Sequence, residues 1–271
     1  MKKFAVIGNP VKHSLSPLLH SWVFNELNIN ASYEKIKLEL NELHQIIDNL
    51  KKGLFDGVNV TIPYKESFIN LLDEINPRAT TIGSVNCVIN SNGKLIGNNT
   101  DWYGFSKALS MNDINVKNKQ IIVLGAGGTA KSIIYSLKNI GVTKIFILNR
   151  TYAKIKLLED NLINAIRLEQ ITDIINKDSI IINTTSVGMN KDASLIDFNL
   201  LNKSQIIIDV IYTPLQTALI KEGLNLGAKT LNGLDMFIYQ ALASLDLWFG
   251  KSISKQVNFD QLKYYLERKI C

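Results

Sequence analysis

Apolar residues along the chain recur at two spacings, and the switch between them marks out strands and helices. "KFAVIGN" and "ASYEKIKL" predict the first two strands, with Ser16-Pro17 capping and opening a helix over "LLHSWVFNEL" between them. A helix at about residues 41 to 52 leads to "GVNVTIPYK", where Val58, Val60 and Ile62 alternate with Asn59 and Thr61. Pro63 then ends the ladder, and Lys65 follows. "KESFINLLDEI" predicts a helix, and "SVNCVINSNGKLIGNNT" predicts a hairpin turning at Asn92-Gly93. "DWYGFSKALSM" starts another helix behind Asp101.

After the polar joint "NDINVKNKQ" the pattern restarts with "IIVLGAGGTAKSIIYSLKNIG", a strand, a glycine turn and a helix. "KIFILNR", "SIIINTTS" and "QIIIDVIY" predict three more short strands, apolar on both faces as in the middle of a parallel sheet. The final "GLDMFIYQALASLDLWFG" and "NFDQLKYYLERK" predict amphipathic helices. Such alternation specifies an α/β fold, and 271 residues suffice for two domains, each with its own core.

Composition narrows the function classes. With 46% hydrophobic and 20% charged residues and no apolar run near membrane-span length, a globular cytoplasmic protein with no membrane partner is expected. "MKKFAVIGNP" mimics a signal-peptide start, but its apolar stretch ends at Gly8 with no cleavage site following. The 2 cysteines, Cys87 and Cys271, and the 3 histidines, His13, His20 and His44, lie outside any metal-ligand spacing, so no metal site is expected. A formal net charge of +6 invites a nucleic-acid reading, yet the lysines are scattered among acids without a basic stripe. An anionic small molecule suits that charge equally well, and the sequence leaves a homodimer open.

"GAGGTA" matches G-x-G-x-x-A over Gly125, Ala126, Gly127, Gly128, Thr129 and Ala130, placed after a strand and before a helix. Glycines there allow a tight turn and close approach of a pyrophosphate to helix-terminal N–H groups, the fingerprint of a Rossmann-type dinucleotide site. "GAGGTAKS" is also one residue from the triphosphate-binding G-x-x-x-x-G-K-[ST] pattern, with Ala130 in place of its last glycine and Asp209 as a candidate magnesium partner. At the end of the next strand, Asn149 and Arg150 stand where an NAD site usually carries an acid, with Thr151 and Lys154 behind. Cations and hydroxyls suit a 2′-phosphate, so NADP(H) is the expected cofactor.

In the first domain, polar clusters fall at the carboxyl ends of predicted strands: Ser14 and Ser16, Asn59 to Lys65, Asn86, and Asp101. Each has a plain structural alternative, since the serines and Asp101 are good helix caps and Asn86 suits a turn. Together, "GNPVKHSLSPLLH", "GVNVTIPYK", "NNTDW", "GAGGTA", "NRT" and the later Y-x-P-L and M-x-x-x-Q-A patterns resemble the shikimate dehydrogenases in order and spacing over essentially the whole chain. The resemblance implies reversible NADPH-dependent reduction of 3-dehydroshikimate to shikimate in aromatic amino-acid biosynthesis. It implies an N-terminal open, mostly parallel α/β substrate domain of residues 1–101 plus 237–271, and a Rossmann-type NADP-binding domain of 102–236. Substrate would lie in the cleft between them, with the joints near Asp101 and Gly233 as hinges.

Position by position, the resemblance assigns Ser14 and Ser16, with Tyr212 nearby, to the substrate carboxylate. It places Thr61, Lys65, Asn86, Asp101 and Gln240 around the ring hydroxyls and the reacting carbonyl, while Asn59 supports the loop. Gly125 to Ala130 would hold pyrophosphate, Asn149, Arg150, Thr151 and Lys154 the adenosine end, and Val210 and Gly233 the nicotinamide side. The family often has arginine where this chain has Lys154, which weakens the expected discrimination for NADP. Lys65 is expected as proton donor, oriented by Asp101. A quinate/shikimate enzyme with relaxed cofactor use, and a non-catalytic NADP sensor, are the alternatives; the sensor would lack the proton donor or its partner.

Overall fold

A computed structural model describes residues 1–270, and the chain divides into two compact units. The first holds Met1–Gly104 with Ile238–Lys269; the second holds Phe105–Phe237 with Ile270.

The first unit is built on β1 (Lys2–Gly8), β2 (Ala31–Lys37), β3 (Gly57–Val60), β4 (Glu74–Ile75), β5 (Cys87–Ser91) and β6 (Lys94–Asn98). They form one sheet in the order β2-β1-β3-β5-β6-β4. β1 pairs in parallel with β2 and β3, β4 pairs in parallel with β6, and β5 is antiparallel to both its neighbours. The β5–β6 hairpin turns at Asn92 (φ 53°) and Gly93 (φ 86°), the left-handed pair that a two-residue hairpin loop requires. Helices α1 (Ser16–Glu26), α2 (Leu43–Lys51), α3 (Pro77–Ile82) and α4 (Asp101–Met111) follow these strands in chain order.

Side-chain alternation along β3 decides what faces what. Val58 and Val60 enter a core with Ile7, Leu50, Phe68, Val88 and Leu95. Gly57 and Asn59 take the opposite face, where a Cβ on Gly57 would sit 2.3 Å from Trp248 Nε1. Phe4 stacks on Trp248 with ring centroids 4.5 Å apart, and Trp248 Nε1 donates to Val88 O at 2.9 Å. The strand stops at Val60, so Ile62 lies in the following turn, 42% exposed, instead of continuing the apolar face.

Three local expectations are corrected. "KESFINLLDEI" is a 3-10 turn over Ser67–Leu71 followed by β4, because Asp73 N and Asn76 N donate to Leu95 O and Gly97 O beside β6. Ser16 does not cap α1: the preceding Leu15 holds that position without a side-chain bond, and Ser16 N instead donates to Ser14 Oγ at 3.2 Å. Asp101 is the first residue of α4, and it is Asn99 Oδ1 that accepts from Asp101 N at 3.0 Å.

The second unit carries β7 (Ile121–Leu124), β8 (Ile145–Leu148), β9 (Ile163–Ile166), β10 (Ile180–Asn183), β11 (Ile206–Asp209) and β12 (Lys229–Leu231). All pair in parallel, in the order β12-β11-β10-β7-β8-β9. That is the doubly wound order in which the chain reverses direction at the first strand, the Rossmann arrangement. The sequence pattern omitted β9 and β12. Helices α5 (Gly128–Ile140), α6 (Tyr152–Lys156), α7 (Ile171–Ile174) and α8 (Ala218–Asn225) belong to this unit, and the chain finishes with α9 (Leu234–Phe249) and α10 (Phe259–Ile270). Among the described residues no helix is long and apolar enough to cross a membrane.

Candidate active site

Beyond β3 the chain turns at Thr61-Ile62-Pro63-Tyr64, with Tyr64 N donating to Thr61 O at 3.0 Å and Thr61 N to Ile7 O at 2.9 Å. Tyr64 is anchored in the core beside Ile7 and Phe68, and Val85 N donates to Lys65 O at 2.8 Å. The Lys65 backbone is therefore pinned on both sides. Its Nζ donates to Asp101 Oδ2 at 2.6 Å, and the two side chains are 13% and 6% exposed. An ion pair so withdrawn from water holds its geometry far better than a surface pair.

Asp101 is gripped from its other oxygen as well. Asn86 Nδ2 donates to Asp101 Oδ1 at 2.7 Å, while Asn86 Oδ1 accepts from Thr100 N at 2.7 Å, so the amide is held with its donor toward the carboxylate. Asn86 Nδ2 also lies 3.3 Å from Gln240 Oε1. Below this layer, Ser244 Oγ donates to Gln240 O at 3.0 Å and accepts from Asn59 Nδ2 at 3.0 Å, with Thr100 Oγ1 3.2 Å away. Asn59 Nδ2 donates to Asn86 O at 3.0 Å, and Tyr33 donates its hydroxyl proton to Asn59 Oδ1 at 2.7 Å. Tyr33 in turn stacks on His20 with centroids 4.1 Å apart.

Burial, only partly offset by the nearby Asn59 amide, lowers His20 to about 3, and neither ring nitrogen has a hydrogen-bond partner within normal geometry. His20 is thus a neutral aromatic plate under the polar column. Cys87 is fully buried, and desolvation pushes its thiol up to about 12, which makes it inert. The sequence pattern singled out Lys65, Asn86 and Asp101, and the family resemblance added Gln240; the first unit brings these residues together. The pattern missed Thr100, Ser244 and Tyr33, since lone hydroxyls on a loop, a helix and an edge strand carry no spacing signal. Ser14 Oγ, in the loop after β1, and Ser16 Oγ, at the start of α1, lie 3.1 Å apart as a second hydroxyl cluster.

In the second unit, Gly125 adopts φ +114°, and a Cβ there would meet Thr184 Oγ1 at 2.4 Å, so only glycine makes this turn. A Cβ on Gly127 would meet nothing within 4 Å, which leaves open space in front of α5. Gly127, the residue at the N-cap of α5, brings no side chain to that position. Space for a phosphate at a helix N-terminus is what a dinucleotide requires, and the residues present fit NADP. Asn149, Arg150 and Thr151 follow β8 directly, with Asn149 Nδ2 donating to Thr151 O at 3.2 Å, and Lys154 is exposed in α6.

At the same carboxyl edge, past β11 and β12, Val210 and Gly233 come together, since a Cβ on Gly233 would lie 2.0 Å from Val210 O. Tyr212 belongs to the second unit too, its ring stacked on Phe237 at 4.4 Å. Asp209 accepts from Asn183 Nδ2, Ile211 N and Thr217 Oγ1 at 3.0, 3.0 and 2.7 Å. Burial raises its carboxyl above the usual range, and these bonds consume it as a loop tie, which counts against its use as a magnesium partner. Among the described residues no group of three or more His, Cys, Asp or Glu could hold a metal ion.

A family model described as "Shikimate dehydrogenase substrate binding domain" matches residues 6–88, and one described as "Shikimate / quinate 5-dehydrogenase" matches residues 107–209. A curated relative from Staphylococcus haemolyticus, named Shikimate dehydrogenase (NADP(+)), is 40% identical over 99% of this chain and 98% of its own length. The chain belongs to the shikimate dehydrogenase family. A relative of the same name from Pyrococcus furiosus is 41% identical over 92% of this chain and 91% of its own length. A solved shikimate 5-dehydrogenase from Thermus thermophilus, in complex with NADP(H) and shikimate, superposes with a TM-score of 0.87 at 32% identity, covering 100% of both chains. Membership in the shikimate dehydrogenase family agrees with the resemblance carried by the sequence motifs, and the two-sheet α/β architecture is that of its solved members.

Proposed function

We propose that this chain is an NADP-dependent shikimate dehydrogenase that reversibly reduces 3-dehydroshikimate to shikimate in aromatic amino-acid biosynthesis. The observation that carries the mechanism is the Lys65–Asp101 pair, 2.6 Å apart and almost withdrawn from water. When bound, NADPH supplies the hydride for the carbonyl carbon. The developing alkoxide needs a proton and a positive field, and Lys65 Nζ gives both. Asp101 fixes the direction of the ammonium, and Asn86 keeps Asp101 from rotating. In the oxidation direction the same Nζ takes the hydroxyl proton.

Ser14 and Ser16 hold the substrate carboxylate, while Thr61, Asn86 and Gln240 hold the ring hydroxyls. Gly125 to Ala130 cradle the pyrophosphate. Asn149, Arg150, Thr151 and Lys154 take the adenosine end, and Val210 and Gly233 line the nicotinamide side. A cytoplasmic location accompanies this reading, with no nucleic-acid partner and with a homodimer left open.

The description of the second family model includes quinate, which supports activity on that acid as a second reading. One assay separates them: the near-ultraviolet absorbance of reduced nicotinamide, followed at alkaline pH with shikimate or quinate and with NADP or NAD. Growth with shikimate and NADP, and little with quinate or NAD, is the expected result. Silence with both acids refutes the proposed activity and favours a non-catalytic NADP sensor.

A further inference from the structure

We propose that Arg167, held over the ring of Tyr152, is a third cation of the pocket for the cofactor's 2′-phosphate and helps set the preference for NADP over NAD. This deepens the proposed function and rests on it.

Strands β8 and β9 run in parallel with Leu148 opposite Ile166. The next residues, Asn149 and Arg167, therefore leave the sheet side by side at its carboxyl edge, on strands about 4.8 Å apart. That edge is where open α/β sheets bind their ligands. The Arg167 guanidinium lies 4.5 Å from the ring centroid of Tyr152, the first residue of α6 and the one directly behind Thr151. Tyr152 thus ties Arg167 to the segment that carries Arg150 and Lys154. Stacking on a ring face fixes the guanidinium plane while leaving its in-plane N–H donors for an anion.

Charge pairing in this region is uneven. Lys138 pairs with Asp160 and Lys156 with Glu159, so those lysines are neutralised. Among the described residues Arg150, Lys154 and Arg167 enter no ion pair, and Glu169, two positions beyond Arg167, is exposed and engages none of them. Three unneutralised cations at one sheet edge suit the charge of a doubly charged phosphate. Lys154 supplies only a point charge there, whereas a second guanidinium restores the fork geometry that phosphate oxygens accept.

The test is equilibrium titration of the full chain with NADP and with NAD, for the unmodified protein, Arg167→Gln, Tyr152→Ala and Arg150→Ala, with thermal midpoints to confirm folding. A charge-assisted bond at an exposed site leads us to expect about a tenfold loss of NADP affinity in Arg167→Gln, with NAD affinity changed less than about twofold. Tyr152→Ala shifts the ratio the same way, by releasing the guanidinium. Equal weakening of both cofactors, or undiminished NADP binding in Arg167→Gln, overturns the proposal. If Arg150→Ala alone lowers the ratio, the role of Arg167 is wrong while the NADP reading stands. Absence of any preference in the unmodified protein refutes both.

Discussion

Replacing Ser244 by alanine removes one hydroxyl that three neighbours use. Ser244 is fully buried, its proton goes to Gln240 O at 3.0 Å, and its lone pairs serve Asn59 Nδ2 at 3.0 Å and Thr100 Oγ1 at 3.2 Å. In Ser244→Ala the Thr100 hydroxyl can turn to Asn86 Oδ1 at 3.3 Å or Gln240 Oε1 at 3.5 Å, so it finds another acceptor. The Asn59 amide cannot, because its oxygen is taken by Tyr33 and its other N–H by Asn86 O. One buried donor is orphaned, so unfolding free energy should drop by about 1–3 kcal/mol. The rearranged Thr100 hydroxyl now pulls on the amides that flank Asp101. At saturating ligands kcat should fall roughly three- to tenfold, about 1 kcal/mol of barrier. Urea melts and steady-state kinetics measure the two effects. A stability loss under about 0.5 kcal/mol together with unchanged kcat would refute the column as a support for the site.

Other outcomes follow from the same geometry. The unfolded chain's imidazole takes up a proton below its ordinary 6.5, whereas folded His20 resists until about 3, so the unfolded state binds more protons and stability falls as pH drops through that window. Against pH 7.5, the loss at pH 5 from this residue is about 2 kcal/mol; denaturant melts of His20→Phe should lack that share, and an identical acid slope would contradict the linkage. Gly233→Ala places a methyl 2.0 Å from Val210 O, so the backbone must shift; both thermal midpoint and NADP affinity should fall, and unchanged NADP titration would remove Gly233 from the cofactor site. Ser14→Ala and Ser16→Ala should raise KM for shikimate while leaving kcat within about threefold, since they anchor the carboxylate without joining the proton step; a collapse of kcat at saturation would assign them a different role.

Much of this was legible from pattern alone, for reasons that particular residues make plain. The glycine turn could be read because Gly125 and Gly127 each answer a local demand, one for a left-handed backbone and one for open space. Lys65 and Asp101 could be read because rare strings surround them. "KESFINLLDEI" misled because Phe68, Ile69, Leu71, Leu72 and Ile75 repeat at helical spacing, yet they pack around the β3–β6 core as a tight turn and a short strand. Gly97 makes the difference: without a side chain it admits Leu72 and Ile75, whose Cδ1 atoms would lie 2.7 and 2.8 Å from a Cβ there. That information sits more than twenty residues downstream, beyond any local window. The Tyr33–Asn59–Ser244 column was hidden for the same reason, since its members are joined only by the fold, with 185 residues separating Asn59 from Ser244.

The central claim is that Lys65 carries the proton and Asp101 aims it. Measuring shikimate and NADP binding by titration beside single-turnover hydride transfer, in the unmodified chain and in Lys65→Met, tests it most directly. The account predicts that Lys65→Met binds both ligands within a few-fold yet loses about three orders of magnitude or more in the transfer rate. Transfer in Lys65→Met at close to the unmodified rate would contradict it.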